Sequence, residues 1–236
     1  MSEDLMLFER RYVWQPVVRW YHWFNVLCMG VLAITGYYIG APFVNVEGFP
    51  NPYVTGIVRF THYVTATILA LILIVRLYWA FVGNRYAKWD GMLPLRKERA
   101  RDLWRQFKYY AFLARDRPCY VGHNPIAGLS YTALWVLTIV QGVLGLALNA
   151  EVNPGGFWWT WFGWLFGVSA NQTLRLVHHF LMWVFIAFFV IHLYMAVLDD
   201  VEERDGLLSS IVNGVKWPVC DPCVEDEIAR RQAMNE

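Results

Sequence analysis

Charge is scarce in this chain, and its absence is concentrated. Only 17% of the 236 residues are Asp, Glu, Lys or Arg, and none falls between Ile126 and Leu148. The stretches 41–56 and 149–172 contain no Lys or Arg at all. There is no Gly-rich nucleotide loop, no Walker motif and no HExxH pair, so the common nucleotide-binding and zinc-protease classes are excluded. Four cysteines (Cys28, Cys119, Cys220 and Cys223) do not make a secreted disulfide framework, and the CxxC at Cys220–Cys223 is half a zinc site at most. Residues 1–16 are mixed polar and charged, with no short apolar stretch before a small-residue cleavage site, so no cleavable signal peptide is expected. A net charge of +1 gives no reason to expect nucleic acid as a partner.

What the chain has in excess is apolar sequence. It is 57% hydrophobic and 17% aromatic, against about half apolar in a soluble domain. Four stretches, about 18–40, 57–82, 126–148 and 173–198, are long enough to cross roughly 30 Å of hydrocarbon. Between the second and third lie Arg85, Lys88, Arg96, Lys97, Arg99, Arg101, Arg105, Lys108, Arg115 and Arg117, half of the chain's twenty Lys and Arg. The positive-inside rule then puts this loop and both termini in the cytoplasm. The expected architecture is an all-α, four-helix membrane domain over residues 1–200 in the cell inner membrane, followed by a charged cytoplasmic tail over 201–236. The segment Phe157 to Phe166 holds four tryptophans and is too short to span. Tryptophan favours the headgroup level, so this segment is expected along the outer interface, as a lipid anchor, as a docking surface, or as both.

Four histidines sit inside the apolar stretches: His22, His62, His178 and His192. An ionisable residue inside a membrane is costly and commonly functional. His178 and His192 are fourteen residues apart in one stretch. On a helix that returns to within roughly 40° of the same face and rises about 21 Å. With both termini inside, His62 is level with His178 near the outer face, and His22 with His192 near the inner face. The pattern fits two bis-histidine haems, because imidazole suits iron and helical bundles hold cofactors between facing helices. No CxxCH attachment motif exists, so the haems are expected to be b-type and noncovalently held. His179 competes with His178, but thirteen residues from His192 leaves it about 140° off that face.

Arg19, Arg59 and Arg175 each stand three residues before one of these histidines, at His22, His62 and His178. Residues i and i+3 are neighbours on a helix, and guanidinium matches a haem propionate. Arg76 near the inner end of the second stretch is available to the inner haem. Ordinary snorkelling at helix ends is the alternative for all four. Gly36, Gly142 and Gly145 suit either close approach of backbone to a flat cofactor or plain helix packing.

At these residues the chain resembles the cytochrome b subunit of membrane-bound nickel-iron hydrogenases. The matching stretches are Arg19-Trp20-Tyr21-His22-Trp23, Thr35-Gly36-Tyr37-Tyr38-Ile39-Gly40, Arg59-Phe60-Thr61-His62, Arg76 to Asn84, Gly122-His123-Asn124-Pro125, His178 to Trp183, and His192 to Ala196. The resemblance covers about 15–215, and Gly-His-Asn-Pro is its most specific element. It implies an electron-transfer subunit of a hydrogen:quinone oxidoreductase, with hydrogen chemistry in periplasmic small and large partner subunits. His22, His62, His178 and His192 fall at the family's haem-ligand positions, and a membrane quinone is the implied acceptor. His123 and Asn124 stand just before the third stretch, at the inner interface, where an amide or imidazole can bond a quinone carbonyl. An ordinary histidine, titrating near pH 6.5, would also pass protons there. A turn that merely starts the helix, with Asn124 as its cap, is the plainer reading of the same residues.

Two other functions remain open on the sequence. One is the membrane cytochrome of a formate dehydrogenase-like oxidoreductase, or a stand-alone quinone-linked cytochrome. The other is a metal-ion or proton transporter using the histidines as a relay, although the halves show no repeat.

Overall fold

The computed structural model describes residues 10–43, 53–116 and 118–218. Four of its helices are long and apolar enough to cross a membrane: α1 (Pro16–Gly40), α2 (Val54–Val82), α4 (Pro125–Ala150) and α7 (Asn171–Glu203). They match the four expected stretches within a few residues. Four further helices were expected only as loop or tail: α3 (Lys97–Tyr110) in the basic loop, the short α5 (Phe157–Phe162) and α6 (Leu165–Val168) in the tryptophan segment, and α8 (Leu207–Asn213), which opens the tail. A pair of two-residue strands, β1 (Arg11–Tyr12) and β2 (Val215–Lys216), completes the set.

The helix ends follow from local chemistry. Pro16 and Pro125 occupy the first positions of α1 and α4, where the missing N–H costs nothing. Asn124 caps α4, its Oδ1 accepting from the Ala127 amide at 2.8 Å. Gly214 closes α8 at φ +86°, a left-handed conformation that glycine adopts without strain.

The chain divides into two compact units, and each of the four long helices contributes residues to both. One unit comprises the described residues of Met1–Trp20, Arg76–Thr132 and His192–Glu236. Its core is Val13, Trp14, Val18, Ala87 and Val121, with Trp79 and Tyr86 packed against them. Strand β1 pairs antiparallel with β2, Arg11 opposite Lys216 and Tyr12 opposite Val215. The N-terminal segment is also tied to residues 79–84: Gln15 Oε1 accepts from Trp79 Nε1 and from the Asn84 amide, both at 2.9 Å. Asn84 Nδ2 donates to the Val13 carbonyl at 2.8 Å. Lys216 and Asp205 form a buried ion pair at 2.5 Å, and Trp14 Nε1 donates to Ser210 Oγ at 3.0 Å.

The second unit comprises Tyr21–Val75 and Ala133–Ile191. Leu144, Leu174 and Leu181 form its core, with Leu137, Leu148, Leu165, Phe166 and Phe185 around them. Large apolar residues such as Phe60, Leu71, Ile74 and Phe180 are exposed. That inversion suits segments whose solvent is lipid.

Candidate haem centre and polar cluster

His62 on α2 and His178 on α7 face each other in the second unit, their ring centroids 6.4 Å apart. Two metal–imidazole bonds of about 2 Å each, with a ring radius of about 1 Å at either end, come to roughly 6 Å. The separation is therefore what one iron between two imidazoles needs. Glycines make room for both rings. A Cβ on Gly36 of α1 would lie 3.3 Å from His62 Cε1, and one on Gly145 of α4 would lie 3.2 Å from His178 Cε1. Thr35, beside Gly36, places its hydroxyl 2.8 Å from His62 Nδ1. Gln141 on α4 donates its amide to the His178 backbone carbonyl at 3.0 Å. The Nδ1 of His178 is buried. His179 points elsewhere: its Nε2 lies 2.0 Å from where a Cβ on Gly40 would be.

The other histidines are placed separately. His22 lies in the second unit, its ring 5.1 Å from that of Trp23. His192 lies in the first, its Nδ1 3.2 Å from the Tyr131 hydroxyl. Among the arginines, Arg175 is held by Glu151 at 3.2 Å and by Asn171. Arg19 donates to the Val212 carbonyl, and Arg59 is exposed. Arg76 is buried, with Ala87 O at 3.3 Å and Met92 Sδ at 3.5 Å from its guanidinium.

His123 and Asn124 belong to a polar cluster of the first unit. The His123 ring packs between Trp14 and Tyr131, with centroids 4.6 and 5.2 Å away, and its carbonyl accepts from Arg99 at 2.9 Å. Burial, then the positive charges of Arg76, Arg99 and Lys216, push its pKa down to about 3. The proton carrier expected of an ordinary histidine is thus replaced by a neutral ring whose Nδ1 is buried without a partner. Asn124 uses its oxygen as the helix cap and donates one amide hydrogen to the Tyr110 hydroxyl at 3.0 Å. Tyr110 in turn donates to the Asp199 carboxylate at 3.0 Å. Burial first, and then Asp199, raise the Tyr110 pKa.

Sequence reasoning missed Thr35, Gln141, Tyr131, Tyr110 and Asp199 as partners of these groups. Thr35 and Gln141 are polar residues inside apolar runs, which is a usable signal, but their partners lie on other helices.

The family described as prokaryotic cytochrome b561 matches residues 13–214. The chain belongs to that family. It is 36% identical over 208 residues to a protein of Rhizobium leguminosarum bv. viciae, covering 86% of this chain and 87% of that one. A protein of Azotobacter vinelandii is 37% identical over 210 residues, covering 86% and 87%. For a protein of Escherichia coli K12 the values are 34% over 213 residues, 87% and 90%. The first two are named probable Ni/Fe-hydrogenase B-type cytochrome subunit, and the third probable Ni/Fe-hydrogenase 1 B-type cytochrome subunit.

A cytochrome b561 carries haem b, and the site in the second unit fits it. Among the described residues no group of three or more His, Cys, Asp or Glu is placed to hold a metal ion. A bare metal commonly takes four or more ligands, whereas haem iron takes four from its own macrocycle and asks the protein for two. Two imidazoles facing each other at 6.4 Å, each beside a glycine, would supply those two. Residues 44–52, and Cys220 and Cys223, lie outside the described residues.

Proposed function

We propose that this cytochrome b561 is the membrane-anchoring dihaem subunit of a nickel-iron hydrogenase, carrying electrons from hydrogen oxidation in periplasmic small and large subunits to the membrane quinone pool. The observation that carries the reading is the His62–His178 pair at 6.4 Å, with Gly36 and Gly145 making space beside the rings. The relatives' names point to the partner: all three described above are named probable Ni/Fe-hydrogenase cytochrome subunits. They favour the hydrogenase over a formate dehydrogenase-like complex.

Haem b, when bound, exchanges one electron at a time between ferric and ferrous iron. His62 and His178 hold the outer group. His22 and His192 hold the inner one, an assignment supported by their matched depth along the sequence. Arg19, Arg59, Arg76 and Arg175 supply cations for the propionates. The β1–β2 pairing supports a common side for both chain ends, and the ten basic residues of the middle loop support the cytoplasm as that side.

The quinone site is assigned to the cluster at His123 and Asn124. Asn124 keeps a second amide hydrogen for a quinone carbonyl. The neutral His123 ring offers its Nδ1 lone pair to the hydroxyl of the reduced form. The hydrogen-bonded chain from Asn124 through Tyr110 to Asp199 leads toward the acidic run at residues 199–203. Protons taken from the cytoplasm there, with hydrogen oxidised outside, would build a membrane potential.

The experiment is hydrogen-driven quinone reduction in membranes holding the whole complex. Asn124→Ala is expected to slow quinone reduction while hydrogen still reduces the haems. Normal quinone reduction would place the site elsewhere, and haems that hydrogen no longer reduces in membranes of the unmutated complex would refute the hydrogenase link.

A further inference from the structure

The Thr35 hydroxyl has one proton to give. The Val31 carbonyl, one turn back on α1, accepts at 2.7 Å, with Leu32 O farther off at 3.4 Å. His62 Nδ1 stands 2.8 Å from the same oxygen. With the hydroxyl proton directed at Val31, what remains on the oxygen is lone pairs, so the hydrogen in the bond to His62 comes from Nδ1. That fixes the tautomer: Nδ1 protonated and Nε2 bare. A bare ring nitrogen is the state a metal takes, and the partner on the other nitrogen selects it.

We propose that Thr35 is the positioning residue of the outer haem, its hydroxyl orienting His62 and setting the reduction potential of that centre. The inference rests on His62 being a ligand. A second observation supports it independently. Gly36, the next residue, seats the same ring by leaving 3.3 Å between its missing Cβ and Cε1. Two consecutive residues of α1 therefore define where the imidazole lies, one by a bond and one by a void. Among the described residues no side-chain hydroxyl stands against the His178 ring in the same way; the Gln141 amide instead holds its backbone carbonyl at 3.0 Å.

The sign follows from the bond. An Nδ1–H that donates leaves more electron density on the ring and favours the ferric state, which lowers the potential. Without an acceptor the same N–H is buried and unsatisfied, which disfavours the ferric state further.

The test uses the purified full-length protein and three variants: Thr35→Val, which keeps the shape and loses the hydroxyl, Thr35→Ser, which restores it, and His62→Ala. The component missing from His62→Ala identifies the outer haem in a redox titration. Thr35→Val is expected to raise the midpoint of that component and shift its low-spin electron paramagnetic resonance signal. A change of up to about tenfold in ferric preference reads as up to about 59 mV for one electron. Thr35→Ser should return both readouts to the original values. Unchanged midpoint and signal in Thr35→Val would overturn the inference while leaving the ligand assignment intact. Should Thr35→Val lose the haem, retention in Thr35→Ser supports the hydroxyl's role and loss in both variants overturns it. A His62→Ala protein that keeps two haems removes the ligand assignment itself, and the inference with it.

Discussion

Two glycine substitutions should have effects opposite to the clash that the first added carbon creates. At Gly40, a Cβ would lie 2.0 Å from His179 Nε2, so that ring must retreat by about 1.5 Å to reach ordinary contact. At Gly145 the added Cβ would lie 3.2 Å from His178 Cε1, an encroachment of only a few tenths of an ångström. Valine there extends the intrusion by a further methyl layer. Helix propensity opposes neither change strongly: glycine inside a helix is about 1 kcal/mol worse than alanine, and valine is also better than glycine. The fold should therefore survive both. If His178 is the ligand, Gly145→Val displaces a group on the iron, and a misplacement well under an ångström suffices to change the ligand field. Gly40→Ala moves its ring by about 1.5 Å, but that ring has no place on the iron. The assay is the reduced-minus-oxidised spectrum and the haem content of each purified variant. Gly145→Val should lose or alter one haem, and Gly40→Ala should keep two normal ones. The reverse result would mean that His179 binds the iron and that α7 is wound differently around this point, as a π-bulge would do.

Three further outcomes are expected. Lys216→Met leaves the Asp205 carboxylate buried without its cation and should cost about 3–5 kcal/mol, most of it recovered in a Lys216→Met/Asp205→Leu double variant; equal melting temperatures for the single variant and the original protein would contradict this. The His123 ring is held to about 3 when folded but titrates near 6.5 when unfolded, so between those values the unfolded chain binds the extra proton. Stability should be unaffected by this group above about pH 6.5 and fall by at most about 1.4 kcal/mol per pH unit below it. A His123→Gln variant should lose that part of the pH dependence in melts in detergent at pH 7.5 and 5.5, and an unchanged slope would refute the assignment. Trp158 and Trp161 are exposed on α5, and replacing both with serine should weaken co-purification of the hydrogenase subunits without changing the haem spectra; undiminished co-purification would make them lipid anchors only.

The long helices were legible because each is an apolar run of the required length, and Pro16 and Pro125 mark two of their starts. That His178 and His192 lie on one helix was legible for the same reason. So was the separation of His178 from His179. What lay beyond reach were relations between helices. Nothing in the run around Thr35 says that its hydroxyl meets His62, or that Gly36 and Gly145 stand beside imidazoles rather than in plain helix packing. The neutral state of His123 was hidden too, because it depends first on burial in the folded chain and then on charges such as Arg76 and Lys216, which are 47 and 93 residues away in the chain. Helix α3 was missed because its 14 residues lie in a basic loop that reads first as charge, and its periodicity is carried by few apolar side chains.

The account stands most directly on which side chains hold haem. A pyridine haemochrome assay on the purified chain, with His62→Ala, His178→Ala and His179→Ala alongside, measures this. Two haems b per chain are expected in the original protein and in His179→Ala, and one in each of His62→Ala and His178→Ala. Two haems in either of the latter, or none in the folded original protein, would contradict it.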